Sequence, residues 1–367
     1  MRGALSDKPR IIESTGPWLM TTTSSSAGGA IGGFPMSQAL PQIAILGTGG
    51  TIAGKAERVE LTSAYQAGVV GIDVLARTVP ALSNVARIQA EQISNIDSKD
   101  MTPKVWIALA KRANDLLQSN RIEGIVITHG TDTLEETAYL LHLVLKTDKP
   151  VVLTGSMRPS TSLSADGPLN LLNAVTVAAS PKARGQGVLA VFDGQIHSAR
   201  DVAKSRACSV DAFSSPNAGA LGRVQDGKVE FDRSVTRPHT QKSRFSIGDA
   251  LPVVEILVGY AGASRAAVDA FVASGVKGLV VAGCGSGALS SVFEQAIADA
   301  VKHGTAVVRA SRSGSGNVMR NGSAPDDLLG TIAAGMLGPF KARVLLMLAL
   351  AAGVNDRYEQ QEIFDHY

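Results

Sequence analysis

The sequence predicts an α/β protein of two domains: a larger N-terminal domain with a mainly parallel sheet flanked by helices, and a smaller C-terminal α/β domain. Short aliphatic runs that end in glycine alternate with longer stretches of helical periodicity, as in a parallel sheet covered on both faces. This alternation stops at the polar stretch Phe231–Ala250 and then starts again. A chain of 367 residues is long enough for two domains of ordinary size.

Residues 1–40 are predicted to form a flexible leader that takes no part in the fold. Within them, Thr21–Gly33 consists mostly of small, hydroxyl and glycine residues, which cannot bury a core. The leader also lacks the charged-then-apolar order of a secretory signal, which favours a cytoplasmic location.

Five strands and one helix are predicted in the N-terminal domain, residues 41–228. The helix spans Asp132–Lys146, and Thr133 and Glu136 have the spacing of a capping box at its start. Its apolar face at helical spacing consists of Leu134, Ala138, Leu141 and Leu145. The predicted strands are Gln42–Gly47, Arg87–Ile93, Gly124–Thr128, Pro150–Thr154 and Gly187–Phe192.

The C-terminal domain is predicted to span residues 251–367, after a linker at residues 229–250 that is poor in aliphatic side chains. Its helices are expected to begin at Ser264 and Ser290 and to include Pro339–Ala352. Its predicted strands are Val253–Val258, Gly278–Ala282 and Ala306–Ala310.

Composition and charge indicate a small-molecule partner. The 35 basic and 32 acidic side chains leave a net charge of +3, too little and too dispersed for a nucleic-acid surface. Cys208 and Cys284 form no CxxC pair or Cys/His cluster, so neither a metal nor a disulfide framework is predicted. No apolar run approaches the ~20 residues of a membrane helix. No cofactor is expected.

Four glycine-containing loops follow predicted strands, where parallel sheets place their ligands. They are Gly47–Gly54, Thr128–Thr133, Thr154–Met157 and Gly283–Ala288. Two of them resemble nucleotide motifs, because Gly49–Lys55 fits G-x-x-x-x-G-K and Gly283–Ala288 fits G-x-G-x-x-A. Ala56 stands where a phosphate loop needs Ser or Thr for magnesium, so a nucleotide-binding enzyme is the less favoured alternative.

Threonine is the candidate nucleophile in these loops. Thr51 follows Gly49 and Gly50 after a buried strand, and Thr131 lies in His-Gly-Thr-Asp-Thr between a strand and a helix. A threonine hydroxyl is a weak nucleophile unless a neighbour takes its proton. The candidate partners are Tyr65, Lys204 and Asp132. Each of these residues also has an ordinary structural interpretation, as a helix N-cap, a turn residue or a solvated charge.

Residues 41–367 resemble the bacterial type II L-asparaginases and their glutaminase-asparaginase relatives. The resemblance rests on four motifs: Ile45–Gly54, Val126–Tyr139, Met157–Pro168 and Lys341–Leu346. It implies hydrolysis of the side-chain amide of L-asparagine to L-aspartate and ammonia, with L-glutamine as a minor substrate. It also implies a threonine acyl-enzyme, a homotetramer with active sites at subunit interfaces, and the periplasm as an alternative location.

By motif position, the resemblance implies that Thr51 is the nucleophile and that Tyr65, on a mobile lid, assists it. Thr131, Lys204 and Asp132 match a second triad in which the lysine polarises the hydroxyl. Ser98, Thr131 and Asp132 match the residues that bind the substrate's carboxylate and ammonium. Asp97, beside Ser98, is a further candidate for substrate binding.

Four positions depart from the family pattern. Lys99 stands where relatives have glutamine or glutamate near the substrate ammonium, and we expect it to point away, held by Asp97 and Asp100. Ala324, Ala288 and Thr147 replace a glutamate, an asparagine or serine, and a disulfide cysteine. A weakly catalytic amino-acid-binding protein is therefore the alternative function. An amidotransferase subunit would need an additional tRNA-facing domain.

Overall fold

The computed structural model describes residues 39–60 and 65–367. The predicted leader lies outside this part of the chain except for Ala39 and Leu40. Strands in the described part are, in chain order, β1 Gln42–Gly49, β2 Arg87–Ile96, β3 Gly124–Thr128, β4 Val151–Thr154, β5 Val188–Phe192, β6 Gln195–Ser198, β7 Ala203–Lys204, β8 Phe213–Ser214, β9 Gly222–Gln225, β10 Lys228–Phe231, β11 Val254–Val258, β12 Gly278–Gly283, β13 Ala306–Ser311 and β14 Ile332–Ala333.

The helices of the described part complete the alternation. They are α1 Ile72–Arg77, α2 Pro103–Gln118, α3 Leu134–Val144, α4 Gly167–Ala179, α5 Ala266–Ala273, α6 Ser291–Lys302, α7 Asp326–Leu329, α8 Pro339–Ala351 and α9 Arg357–His366. None of them is long and apolar enough to cross a membrane.

The larger sheet has eight strands in the order β10-β9-β6-β5-β4-β3-β1-β2. Strands β2, β1, β3, β4 and β5 run parallel, whereas β5, β6, β9 and β10 pair antiparallel. The central strands are buried on both faces, which explains why they read as continuous aliphatic runs. The predicted mainly parallel sheet is therefore confirmed, although the antiparallel strands were not predicted.

The smaller sheet contains β11, β12, β13 and β14 in that order, all parallel. Its first three strands confirm the three predicted ones. The two-sheet α/β architecture agrees with the predicted fold class. Strand β10 ends at Phe231, inside the segment predicted to be a linker.

The apolar face predicted for α3 is confirmed, because Leu134, Ala138, Leu141 and Leu145 are fully buried. The predicted capping box is wrong. Thr133 occupies the N-cap position without a side-chain cap, because its Oγ1 donates to the carbonyl of Ser98 at 2.8 Å. A carbonyl acceptor distant in the sequence has thus replaced the local backbone N–H donor of a capping box.

Two ion pairs join α8 of the smaller sheet to the first turn of α3. Lys341 Nζ lies 3.4 Å from Glu135 Oε2, and Arg343 Nη1 lies 3.5 Å from Glu136 Oε2. Burial raises the pKa of the Glu136 carboxyl from 4.5 to about 7, despite the nearby guanidinium of Arg343.

This raised pKa makes stability depend on pH. Between pH 4.5 and about 7 the unfolded chain releases a proton that the folded chain retains at Glu136, so the free energy of unfolding falls as pH rises. Glu136→Gln is expected to remove this pH-dependent decline in the free energy of unfolding, which is on the order of 3 kcal/mol. Urea denaturation at pH 4 and pH 8 measures it, with the exposed Glu362→Gln as the control. An equal pH dependence in wild type and Glu136→Gln would contradict the prediction.

Candidate active site

Three loops meet at the carboxyl ends of the neighbouring parallel strands β2, β1 and β3. The loop after β1 carries Thr51, and the loop after β3 carries Thr131. The backbones of Gly50 and Gly130 bring these two loops into contact. A Cβ on Gly50, whose φ is 79°, would lie 2.3 Å from the Cα of Gly130. This approach requires glycine, and it explains the Gly-Gly-Thr and Gly-Thr patterns.

Thr51 and Tyr65 form the first pair of the site. Their hydroxyl oxygens lie 2.7 Å apart, and Thr51 is 7% exposed. Thr51 begins a short 3-10 turn, Thr51–Ala53. Lys55 and Gln66 exchange backbone hydrogen bonds of 3.0 and 2.9 Å, and this bridge holds Tyr65, the neighbour of Gln66, close to the loop that carries Thr51. The structure therefore brings together the two residues that the sequence paired.

Thr131, Lys204 and Asp132 form the second group. Lys204 Nζ donates to Thr131 Oγ1 at 2.8 Å and to Asp132 Oδ1 at 2.6 Å. The lysine side chain is 15% exposed, whereas that of Asp132 is 56% exposed and open to a ligand. Lys204 comes from strand β7, which pairs antiparallel with β8. The Nζ atom of Lys204 therefore contacts both the Thr131 hydroxyl and the Asp132 carboxylate.

Ser98 joins these groups from the loop after β2. It is buried, its Oγ accepts from the backbone amide of Asp132 at 3.2 Å, and a Cβ on Gly130 would lie 2.5 Å from that Oγ. Its neighbour Asp97 faces Lys99 instead, at 4.0 Å. Thus Ser98 belongs to the centre of the site and Asp97 lies at its edge.

Lys99 is held by its acidic neighbours. Its Nζ lies 2.5 Å from Asp100 Oδ2 and 4.0 Å from Asp97 Oδ2, and the side chain is exposed. The hydrogen bond to Asp100 raises the pKa of the Lys99 ammonium above its ordinary value. These contacts confirm the predicted ion pairs.

Sequence reasoning missed a buried hydrogen-bond chain behind the Thr131 loop. Trp106 Nε1 donates to Thr137 Oγ1 at 2.7 Å, Thr137 Oγ1 lies 2.9 Å from His129 Nε2, and His129 Nδ1 lies 2.7 Å from the Gly130 carbonyl. Burial lowers the pKa of His129 to about 4, so the ring is neutral at pH 7.

This neutral ring has only one consistent set of hydrogen bonds. A carbonyl can only accept, so Nδ1 carries the proton and Nε2 accepts from Thr137. The chain fixes the Gly130 carbonyl directly before Thr131. His129 and Thr137 were visible in the sequence, but Trp106, which donates to Thr137, lies on α2 and could be identified only from tertiary structure.

The nucleotide interpretation finds no support in the first glycine loop. Gly49–Lys55 contains the three-residue turn Thr51–Ala53, and Lys55 at its end forms a β-bridge with Gln66 instead of beginning a helix whose N-terminus could hold a phosphate. Within residues 39–60 and 65–367, no group of three or more His, Cys, Asp or Glu side chains is arranged to hold a metal ion.

The chain matches family models and known proteins over most of its length. The family model described as Asparaginase, N-terminal matches residues 42–237, and the one described as Glutaminase/Asparaginase C-terminal domain matches residues 253–364. The chain is 48% identical over 331 residues to "L-asparaginase 2" of Bacillus subtilis (strain 168), covering 89% of this chain and 87% of that protein.

A second relative and a solved structure are similarly close. The chain is 45% identical over 328 residues to "Probable L-asparaginase periplasmic" of Haemophilus influenzae, covering 89% of this chain and 93% of that protein. The crystal structure titled "Probable Cytoplasmic L-asparaginase from Campylobacter jejuni" superposes with a TM-score of 0.86 at 47% identity, covering 89% of this chain and 100% of that one.

Proposed function

Because this chain belongs to the bacterial type II L-asparaginase and glutaminase-asparaginase family, we propose that it hydrolyses the side-chain amide of L-asparagine through a threonine acyl-enzyme. The observation that carries this proposal is the meeting of two activated threonines, Thr51 beside Tyr65 and Thr131 beside Lys204, on loops in contact at Gly50 and Gly130. The products are L-aspartate and ammonia.

In the first half-reaction, Thr51 Oγ1 attacks the amide carbon. Tyr65 accepts the hydroxyl proton while passing on its own, and the proton ends on the amide nitrogen, which leaves as ammonia. Backbone amides of the loops that carry Thr51 and Thr131 stabilise the oxyanion of the tetrahedral intermediate. Water then cleaves the ester, which releases aspartate and restores the Thr51 hydroxyl. Lys204 polarises Thr131 beside the reacting amide.

Substrate orientation follows from the charges at the edge of the site. The exposed carboxylate of Asp132 offers the substrate ammonium a charge-assisted acceptor, and the Ser98 hydroxyl suits its α-carboxylate. L-glutamine, which is one methylene longer, is expected to react more slowly in the same pocket.

Initial rates of ammonia release with L-asparagine, L-glutamine and D-asparagine test this function. We expect L-asparagine to be fastest, with lower activity on L-glutamine. Binding of L-asparagine without turnover would contradict the proposal and favour an amino-acid-binding protein of the same fold.

Lys99→Gln is expected to change the KM for asparagine by less than about threefold, or ~0.7 kcal/mol. The reason is that the Lys99 ammonium is already paired with Asp100. Two ammonium groups ~4 Å apart would cost roughly 1 kcal/mol in water and roughly 4 at an effective dielectric constant of 20. Asp132→Ala, measured alongside, should lose nearly all activity. A tenfold or larger fall in KM for Lys99→Gln would show that this lysine faces the ligand.

We also propose a homotetramer with active sites at subunit interfaces, as the family membership suggests. Light scattering on the active enzyme would contradict this assembly if it reported a monomer.

A further inference from the structure

Lys204 occupies a short strand outside both main sheets. It lies on the two-residue strand β7, which pairs with the two-residue strand β8. So short a ladder gives little independent stability. Contacts from other parts of the molecule must therefore help to hold the lysine within 2.8 Å of Thr131.

One such contact comes from α8, which packs on the smaller sheet. The ammonium of Lys341 is buried, with the residue only 5% exposed, and it donates to the carbonyl of Val202, two residues before Lys204. The same Nζ lies 3.4 Å from Oε2 of Glu135, in the first turn of α3 and four residues after Thr131.

We propose that Lys341 is a positioning residue that holds Lys204 against Thr131. This inference rests on the proposed function. Lys341 joins the segment that carries Lys204 to the helix that follows Thr131. A buried ammonium is costly unless it is paired and hydrogen-bonded, so both partners are drawn to one well-defined position. A displacement of about 1 Å at a reacting group can cost ~10²-fold in rate.

The neighbouring ion pair makes it possible to distinguish positioning of Lys204 from simple attachment of α8 to α3. Arg343 and Glu136 join the same two helices at 3.5 Å. The other hydrogen bond of Arg343 goes to the carbonyl of Val254 at 2.8 Å, in the smaller sheet and not in the segment that carries Lys204. If attachment alone mattered, removal of either pair would affect catalysis equally.

The test compares two double variants in the full-length enzyme. Lys341→Met with Glu135→Gln removes the Val202 contact without leaving an unpaired buried charge. We expect kcat for L-asparagine to fall at least tenfold, KM to stay within twofold, and the pH profile of kcat to change. The matched control, Arg343→Met with Glu136→Gln, should keep kcat within twofold.

Three results would overturn the proposal: unchanged kcat in the Lys341 double variant, an equal loss in the Arg343 control, or a change confined to KM. If the double variant does not fold, Lys341→Gln with Glu135→Gln replaces it, again without an unpaired buried charge, and puts a polar amide at position 341. This neutral side chain is one bond shorter and cannot span Val202 and position 135, so the same loss of kcat is expected, and normal kcat would refute the proposal. A wild-type enzyme without asparagine turnover would instead refute the proposed function.

Discussion

Thr51→Ala is expected to abolish asparagine turnover, with a loss on the order of 10⁴-fold in kcat, while the fold is retained. In the proposed mechanism this hydroxyl forms the bond to the substrate, so its removal would leave only the binding and oxyanion contributions. The side chain is small and its Oγ1 contacts Tyr65 across the pocket, so the stability change should be about 1 kcal/mol. Discontinuous assays of ammonia release measure the loss of kcat, and thermal unfolding measures the change in stability.

Thr48→Val is the matched control for this variant. Thr48 lies three residues earlier, and its buried Oγ1 donates to the carbonyl of Thr128 at 2.9 Å, outside the residue pairs of the proposed mechanism. We expect it to lose stability but to keep its rate within a few-fold. Near-normal turnover by Thr51→Ala would remove Thr51 as the nucleophile and leave Thr131 as the candidate.

Lys204→Met is expected to lower kcat by ~10³-fold or more, within the range of positioned acid-base groups. Its ammonium contacts Thr131 Oγ1 and Asp132 Oδ1, so methionine removes the polarisation of the hydroxyl and leaves the carboxylate unpaired. Steady-state rates at saturating asparagine separate this loss from a change in KM.

Lys149→Met controls for the loss of a half-buried lysine. Lys149 Nζ donates to the carbonyls of Leu117 and Ser119 at 2.7 and 2.8 Å, away from the three loops of the site. The kcat of Lys149→Met should match that of the wild-type enzyme. If Lys204→Met also loses only a few-fold, Lys204 takes no essential part in the reaction.

Local patterns in the sequence were enough to predict most of the parallel strands, several of the helices and the loops that carry the candidate site. Buried parallel strands need aliphatic side chains on both faces, so the alternation predicted the sheet that places Thr51 and Thr131 at the ends of β1 and β3. The glycine loops after these strands marked the site, because neighbouring parallel strands end at the same edge of a sheet.

Contacts between residues far apart in the chain follow no local pattern and depend on how the chain folds. Thr133 has the spacing of a capping residue, yet its hydroxyl bonds to Ser98, 35 residues away. The contact of Lys341 with Val202 spans 139 residues. The contact of Lys204 with Thr131 spans 73 residues, and the family resemblance implied it although no local pattern did. The physical reason is that hydrophobic periodicity indicates which face of a helix or strand is buried. A polar side chain instead forms its hydrogen bond with whichever suitable group folding brings near it, and the local sequence around that side chain does not identify this group.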